Sequence, residues 1–376
     1  MPSAWIRTAP ELAAFLSSLQ GASAIALDTE ADSLHHHREK VCLVQLAAGP
    51  DRARLVDPLA LRDLAPLAPL MADAAVVKVL HGADYDVTTL KRDFGFAFAS
   101  LFDTMIAARF LGLPQVGLQA VLLSELGVVL GKESRLDDWS RRPLTTAQEA
   151  YALDDVRHLL ALHAALVEKL RAAGRLAWVE EECAAVAALP AARRERDPEA
   201  WLRIKGASRL PPRALAVLRA VAGWREEIAE ATDIPAFKIL SAETMLALAG
   251  APPRAAEDLR GRRGPWTRWP ERLPALLRGV AQALALPESA LPRPSRAPRP
   301  VVTEATRKRA DALKAWRQDK ARALGLDVSL VLPNRLLEKA AEQWPRAPAE
   351  LEAIEGFRRW RRDAFGEEVV DRLRAS

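Results

Sequence analysis

Asp28 and Glu30 stand two residues apart in "IALDTEADS" (residues 25–33), directly after a short aliphatic run. An extended chain turns alternate side chains to the same face, so this spacing puts both carboxylates on one side of a strand end. Two such groups close together repel, and neither stays ionised cheaply unless a cation neutralises them. Oxygen ligands of this kind suit hard divalent ions such as Mg2+ and Mn2+. An Asp-x-Glu pair alone is equally an ordinary solvated strand end, so its meaning depends on what the rest of the chain brings to it.

Two later segments carry the matching residue types. "VLHGADYDVTTL" (79–90) reads as a strand ending at His81, a tight turn at Gly82, and a helix with Asp84 and Asp86 in its first turn. Those aspartates either complement the positive helix N-terminus or aim one carboxylate at the centre that holds Asp28. In "YALDD" (151–155), Tyr151 and Asp155 are four residues apart and stack on one helix face, which Leu159 and Leu162 continue. A tyrosine and an aspartate on an apolar stripe are odd as packing. A carboxylate that holds a cation and a phenol that orients a water give them a use. Asp154 is rotated away from that face.

The elements that must position these groups are legible as a mixed α/β pattern. Residues 24–27, 41–47, 54–57 and 76–81 are short aliphatic or β-branched runs bounded by turn residues and read as strands. A helix follows the fourth, with Asp84 as a reasonable N-cap and Gly95 just past its end. "TMIAARFLG" is a second short helix. A long one opens near Thr145 or Thr146 and closes at Gly174. Three strands followed by strand–helix units give a mixed sheet with helices packed on it.

From about residue 200 the strands stop. "PESALPRPSRAPRP" (287–300) holds five prolines and reads as an extended linker. Its flanks resemble each other: "LRAVAGWREEIAEATDIPAFKIL" aligns without a gap on "ADALKAWRQDKARALGLDVSLVL", matching Trp224-Arg225 to Trp316-Arg317 and Ile239 to Val331. The domain expectation is therefore 1–180, a first helical repeat over 201–286, a linker over 287–303, and a second repeat over 304–376. Trp224 and Trp316 are expected in the two cores.

Composition adds direction. The net charge of +5 hides an acidic front (residues 1–200, 21 Lys+Arg against 27 Asp+Glu) and a basic back (201–376, 33 against 22). A basic half suits a polyanion. "RGRRGPWTRWPER" (260–272) interleaves arginines with Trp266 and Trp269, which either stack on bases or close the first repeat's core. Cys42 and Cys183 are the two cysteines, far apart, which gives no disulfide framework and suits a cytoplasmic setting. No signal peptide and no run long enough to span a membrane is visible. No Gly-x-x-x-x-Gly-Lys-Ser/Thr run supports an ATPase.

Taken in order, "LDTEADS" with "CLVQLA", then "LHGADYDV", then "YALDD" resemble the three exonuclease motifs of the DEDD superfamily, in its tyrosine-bearing branch, and within it the ribonuclease D family. "FDTMIAARFLG" and "DDWSRRPLT" resemble further stretches of that family. The helical repeats resemble HRDC domains, and "WLRIKG" (201–206) resembles the approach to the first of them. The resemblance implies an RNase H-like α/β exonuclease domain with a mixed sheet, followed by two small all-α HRDC-like domains. It implies Asp28, Glu30, Asp86 and Asp155 as metal-binding carboxylates, Asp86 being preferred to Asp84 because it lies five residues after His81, as in the family motif. It implies Tyr151 as the residue that orients the attacking water. The activity implied is two-metal hydrolysis, with Mg2+ or Mn2+, that trims RNA from the 3′ end and releases nucleoside 5′-monophosphates. The expected substrate is the single-stranded 3′ end of a tRNA precursor or another structured RNA, and the enzyme is expected to act as a monomer.

Other residues remain two-sided at this level. His81 touches the substrate strand or fills a strand end. Lys132 and Arg142 contact phosphates or belong to a solvated loop. His35, His36 and His37 depart from the family pattern. Successive side chains diverge, so the three are poorly placed to chelate one ion, and an exposed turn or a nucleic-acid contact is the alternative. DNA is the rival substrate, since discrimination rests on contacts to the 2′-hydroxyl that sequence does not display. A non-catalytic nucleic-acid-binding protein is the other rival, disfavoured because all four carboxylates and the tyrosine are present.

Overall fold

The computed structural model describes residues 4–131, 136–192, 197–293 and 303–376. Lys132 and most of the expected linker lie outside the described residues. Contacts divide the chain into two units. The first holds the described residues within Met1–Glu30, Val41–Ala192 and Pro300–Ser376, and the second those within Ala31–Lys40 and Arg193–Arg299.

The first unit is built on a six-stranded sheet of β1 (Trp5–Ile6), β2 (Ala24–Ala31), β3 (Val41–Ala47), β4 (Ala53–Val56), β5 (Val77–Leu80) and β6 (Leu101–Asp103). Its order is β1-β4-β3-β2-β5-β6. β3 and β4 run antiparallel, while β1 with β4, β2 with β5 and β5 with β6 run parallel. The mixed sheet is as expected. β2 sits near the middle, and Ile25, Ala26 and Leu27 are all fully buried. Burial on both faces is why it reads as an unbroken apolar run rather than an alternation. The two edge strands, of two and three residues, carry too short a pattern to stand out in the sequence.

Two expected helix features differ. The long helix from Thr145 to Gly174 is two, Thr146–Arg157 and Leu159–Ala172, broken at His158 (φ −103°, ψ −6°). Its start is as expected, with Thr145 and Gln148 forming a reciprocal capping box. The helix after β5 spans Asp84–Phe94, so Asp84 lies inside it and Ala83 occupies the cap position, with no side-chain cap bond of its own. Asp103 does the work instead, accepting from Gly82 N at 2.9 Å and Ala83 N at 2.8 Å. Gly95, left-handed at φ 68°, ends the helix.

The second helical repeat shares a continuous core with this sheet domain. Its helices are Glu304–Leu324, Val328–Val331, Asn334–Gln343 and Arg359–Arg374. Arg175 ties it down by donating to Phe110 O at 2.8 Å and Leu324 O at 2.7 Å. The Glu181 and Glu182 carboxylates accept from Trp360 N, Trp360 Nε1 and the guanidinium of Arg361. Trp178 stacks on Trp360 at 4.8 Å. At Gly112 (φ +73°) a Cβ would run into the carbonyl of Gly325, so only glycine permits this approach.

The second unit has its own core around the helices Pro212–Thr232, Ala242–Gly250 and Leu273–Ala285. The repeat seen in the sequence is physical. Trp224 and Trp316 are both buried. Arg225 donates to Leu240 O and its counterpart Arg317 to Leu332 O. Leu259 and Leu351 are buried at the same offset. Loop 31–40 belongs to this unit: Asp233, in left-handed conformation at the end of the Pro212–Thr232 helix, accepts from His37 N and Arg38 N and lies 2.7 Å from His36 Nδ1. The histidine run is thus not a free turn, because His36 is engaged by a carboxylate far along the chain.

Candidate active site

β2 delivers Asp28 and Glu30 to the site, as the alternation requires, and Thr29 between them is buried. The Thr146–Arg157 helix brings Tyr151 and Asp155 to the same place. One carboxylate oxygen from each of Asp28, Glu30 and Asp155 lies within 4.8 Å of the others. All three residues and Tyr151 line a cavity of about 740 Å³, together with His81, Met105, Gln115, Gln119 and Asp154. That volume is within the range of about 300–1,000 Å³ usual for ligand sites.

Asp86 stands beside this trio. The Thr29 hydroxyl donates to its Oδ1, which links the first strand motif to the second. Burial raises the Asp86 carboxyl to about 7, and the Thr29 bond offsets part of that rise. Asp28 is held well above the ordinary carboxylate range, first by burial and then by the charges of Asp86, Asp155 and Glu30. A carboxylate so strongly disfavoured in its ionised form, with two oxygen donors within reach, fits a hard divalent cation in chemistry and spacing.

Tyr151 is hydrogen-bonded to Asp155, and burial followed by the charges of Asp155, Glu30 and Asp28 holds its phenol above the ordinary value. It therefore keeps its proton and acts as a donor. Its ring lies 6.0 Å from that of the buried Trp139. Asp154, expected to be rotated away, instead also borders the cavity, where it forms an ion pair with Arg157 at 2.6 Å.

The remaining expected residues fall out unevenly. His81 lines the cavity, with Nδ1 2.9 Å from Thr104 Oγ1, and burial lowers its pKa. Arg142 is engaged differently from the expectation of a phosphate contact. Its guanidinium donates to both oxygens of Asp57 at 2.8 and 2.9 Å and to the carbonyls of Cys42, Trp139 and Arg141. With every donor directed at protein oxygens, it braces the segment that carries Trp139. Trp266 is buried, and Trp269 is half-buried beneath the Arg268 guanidinium.

Two residues escaped the sequence reading. Thr29, between its acidic neighbours, carries no sequence signal for its bond to Asp86. Asp103 accepts four backbone N–H bonds, from Gly82, Ala83, Met105 and Ile106, and so fixes the turn that delivers Asp86. The "FDT" of residues 102–104 was its signal.

The chain is similar to known proteins over most of its length. Residues 3–171 match a 3′–5′ exonuclease family model, and residues 214–272 and 306–373 match the HRDC domain. Ribonuclease D of Granulibacter bethesdensis is 33% identical over 375 residues, covering 97% of this chain and 91% of that protein. Ribonuclease D of Gluconacetobacter diazotrophicus is 39% identical over 293 residues, 77% of this chain and 74% of that one. The crystal structure of Escherichia coli RNase D, described as an exoribonuclease involved in structured RNA processing, superposes with a TM-score of 0.74 at 28% identity, covering 100% of this chain and 99% of that one. None of the described helices is long and apolar enough to cross a membrane. With a carboxylate cluster suited to divalent cations at the end of β2 and two HRDC repeats later in the sequence, this chain belongs to the ribonuclease D family of 3′–5′ exonucleases.

Proposed function

We propose that the protein trims the 3′ ends of structured RNA, tRNA precursors foremost, one nucleotide at a time from a single-stranded tail. The observation that carries this reading is the convergence of Asp28, Glu30 and Asp155 within 4.8 Å beside Tyr151 in one cavity. In this reading residues 1–180 form the catalytic domain, 201–286 and 304–376 are the helical domains, and the enzyme works as a cytoplasmic monomer.

Asp28, Glu30, Asp86 and Asp155 would hold two divalent cations, Mg2+ or Mn2+, whose charge activates a water and stabilises the departing 3′ oxygen. The chain's own residues supply the rest. Asp28, held well above the ordinary carboxylate range by burial and its acidic neighbours, would be a ligand whose charge the cations neutralise. Thr29 holds Asp86 at a fixed angle, so this carboxylate need not be ordered at the moment of reaction. The Tyr151 hydroxyl, kept protonated, donates and orients the nucleophile, which is a more suitable task than base catalysis for a phenol displaced upward. Met105 and Leu118 give the cavity an apolar wall against which a terminal base can rest, and His81, Gln115 and Gln119 offer polar edges.

RNA is favoured over DNA by the family. The test is release of mononucleotides from matched RNA and DNA oligonucleotides in Mg2+ and in Mn2+, with Asp28→Ala as the control. Release from RNA that the substitution abolishes is expected. A wild-type protein that releases nothing with either metal would overturn the reading.

A further inference from the structure

The first helical repeat carries an arginine loop that its own packing does not use. Between the Ala242–Gly250 and Leu273–Ala285 helices, Arg254, Arg260, Arg262, Arg263 and Arg268 are all exposed. Among the described residues Arg260 reaches a carboxylate only at 3.8 Å, Glu257, in a pair 81% and 63% exposed. Such a pair contributes little. Arg254, Arg262, Arg263 and Arg268 form no ion pair with any described residue.

The loop is nonetheless built firmly. Leu259, Pro265 and Trp266 are buried and anchor it from inside. Trp266 Nε1 donates to Arg262 O at 3.1 Å, and Asp258 accepts from Arg254 N and Ala255 N at 2.7 and 3.1 Å. A loop whose backbone is already anchored costs less ordering on binding than a floppy basic tail, and guanidinium forks match phosphate oxygens in geometry.

The second repeat provides an internal comparison. Residues 254–263 hold four arginines against Glu257 and Asp258, a net charge of +2, whereas the equivalent residues 346–355 hold Arg346 against Glu350, Glu352 and Glu355, a net charge of −2. Arg260 and Arg263 thus correspond to Glu352 and Glu355, and exposed Arg262 to Ile354, which is buried. The residues that follow, Arg358 to Arg361, hold this repeat to Glu181 and Glu182. One scaffold has the same loop charged in opposite senses, and the second copy, which packs on the catalytic domain, carries the acidic version.

We propose that the 254–268 loop of the first repeat grips the phosphodiester backbone of RNA, and that the second repeat serves as a docking element and makes no such contact. This rests on the ribonuclease reading above. Backbone contacts of this kind release counterions and carry no sequence preference.

The test uses the full-length protein with Arg260→Ala, Arg262→Ala and Arg263→Ala combined, and binding of a folded RNA with a short 3′ tail measured by anisotropy in Ca2+. In parallel, kcat/KM is measured on a ribotrinucleotide in Mn2+. Each lost phosphate contact removes about 0.7–0.9 from the salt exponent, so from about 50 to 200 mM salt the wild-type affinity should fall roughly 20–40-fold more than the variant's. Trinucleotide kcat/KM should be unchanged, and so should the salt exponent of a Glu352→Ala/Glu355→Ala variant. A triple variant with the wild-type salt exponent would overturn the proposal, as would an altered exponent in the glutamate variant. A wild-type protein that fails to digest the trinucleotide would instead overturn the underlying enzymatic reading.

Discussion

Replacing Asp28 by asparagine should make the metal-free protein more stable and the enzyme inactive. Its carboxylate shares a space of 4.8 Å with those of Glu30 and Asp155. Two unit charges at that distance repel by about 3.5 kcal/mol at an effective dielectric of about 20. Each kcal/mol moves a melting midpoint by about 2–4 °C in a unit of roughly 150–250 residues. Water in the cavity screens part of the repulsion, so a gain of about 4 °C or more is expected at pH 8 in EDTA. The sign with pH follows from the raised pKa of Asp28. Between the ordinary value and the folded value the native state holds a proton that the unfolded chain lacks, so wild-type stability falls as pH rises through that window. Asparagine does not titrate. The gap between variant and wild type should be near zero below about pH 3, where both states are protonated, and should widen toward neutrality. Adding Mn2+ should raise the wild-type midpoint and move the variant's much less, reversing their order. Differential scanning fluorimetry over pH, with and without Mn2+, measures all of this. An Asp28→Asn protein that melts lower than wild type in EDTA at pH 8, or a gap that does not change with pH, would refute the electrostatic account.

Thr29→Val removes the hydroxyl that holds Asp86 and leaves a buried carboxylate short of a donor, which should cost about 1–3 kcal/mol in denaturant melts and lower kcat. Tyr151→Phe should lower kcat/KM by about 10²-fold or more while leaving the Mn2+-induced melting shift intact, since it removes an orienting donor and no metal ligand. Gly112→Ala forces a Cβ against the Gly325 carbonyl; faster hydrogen exchange across 304–324 should report the loosened second repeat, with the first repeat unaffected. Arg142→Ala should destabilise the Trp139 segment, seen as a lower melting midpoint, and should leave the salt dependence of RNA binding unchanged because its donors face protein oxygens.

The site was legible because its chemistry is local in sequence even where it is distant in space. Asp28 and Glu30 announce themselves by strand alternation, Tyr151 and Asp155 by helix periodicity, and the repeat by matched tryptophans. What sequence could not supply were contacts whose two ends have no shared pattern. Asp103 caps a turn that lies upstream of it, a role that looks the same as any aspartate before a helix. Arg142 reads as a loop cation until Asp57 and the Cys42 carbonyl are seen to surround it. His36 reads as part of a solvated run, yet its partner Asp233 is nearly two hundred residues on. The break at His158 is hidden because the apolar face continues through Leu159 and Leu162 on both sides of it. Periodicity reports which face is buried, and a single non-helical residue need not interrupt that.

The repeated helical domain shows how one unit of sequence takes two roles without a change of fold. Both copies keep the buried tryptophan and the arginine that satisfies a carbonyl, Leu240 in one and Leu332 in the other, because these serve the domain itself. They differ where nothing in the domain constrains them, on the loop past Leu259 and Leu351. In the second copy that surface continues into Trp360, which lies 4.8 Å from Trp178 and is bonded to Glu182, an aromatic contact that excludes water and rewards apolar and acidic neighbours. In the first copy the same surface carries Arg260, Arg262, Arg263 and Arg268, of which only Arg260 forms an ion pair with a described residue, a weak one with Glu257, and like charges held together destabilise a fold slightly unless something outside it neutralises them. Nothing inside the domain needs that charge on a firmly anchored loop, which is why it suits a polyanionic partner, and RNA is the polyanion expected of an enzyme of this family.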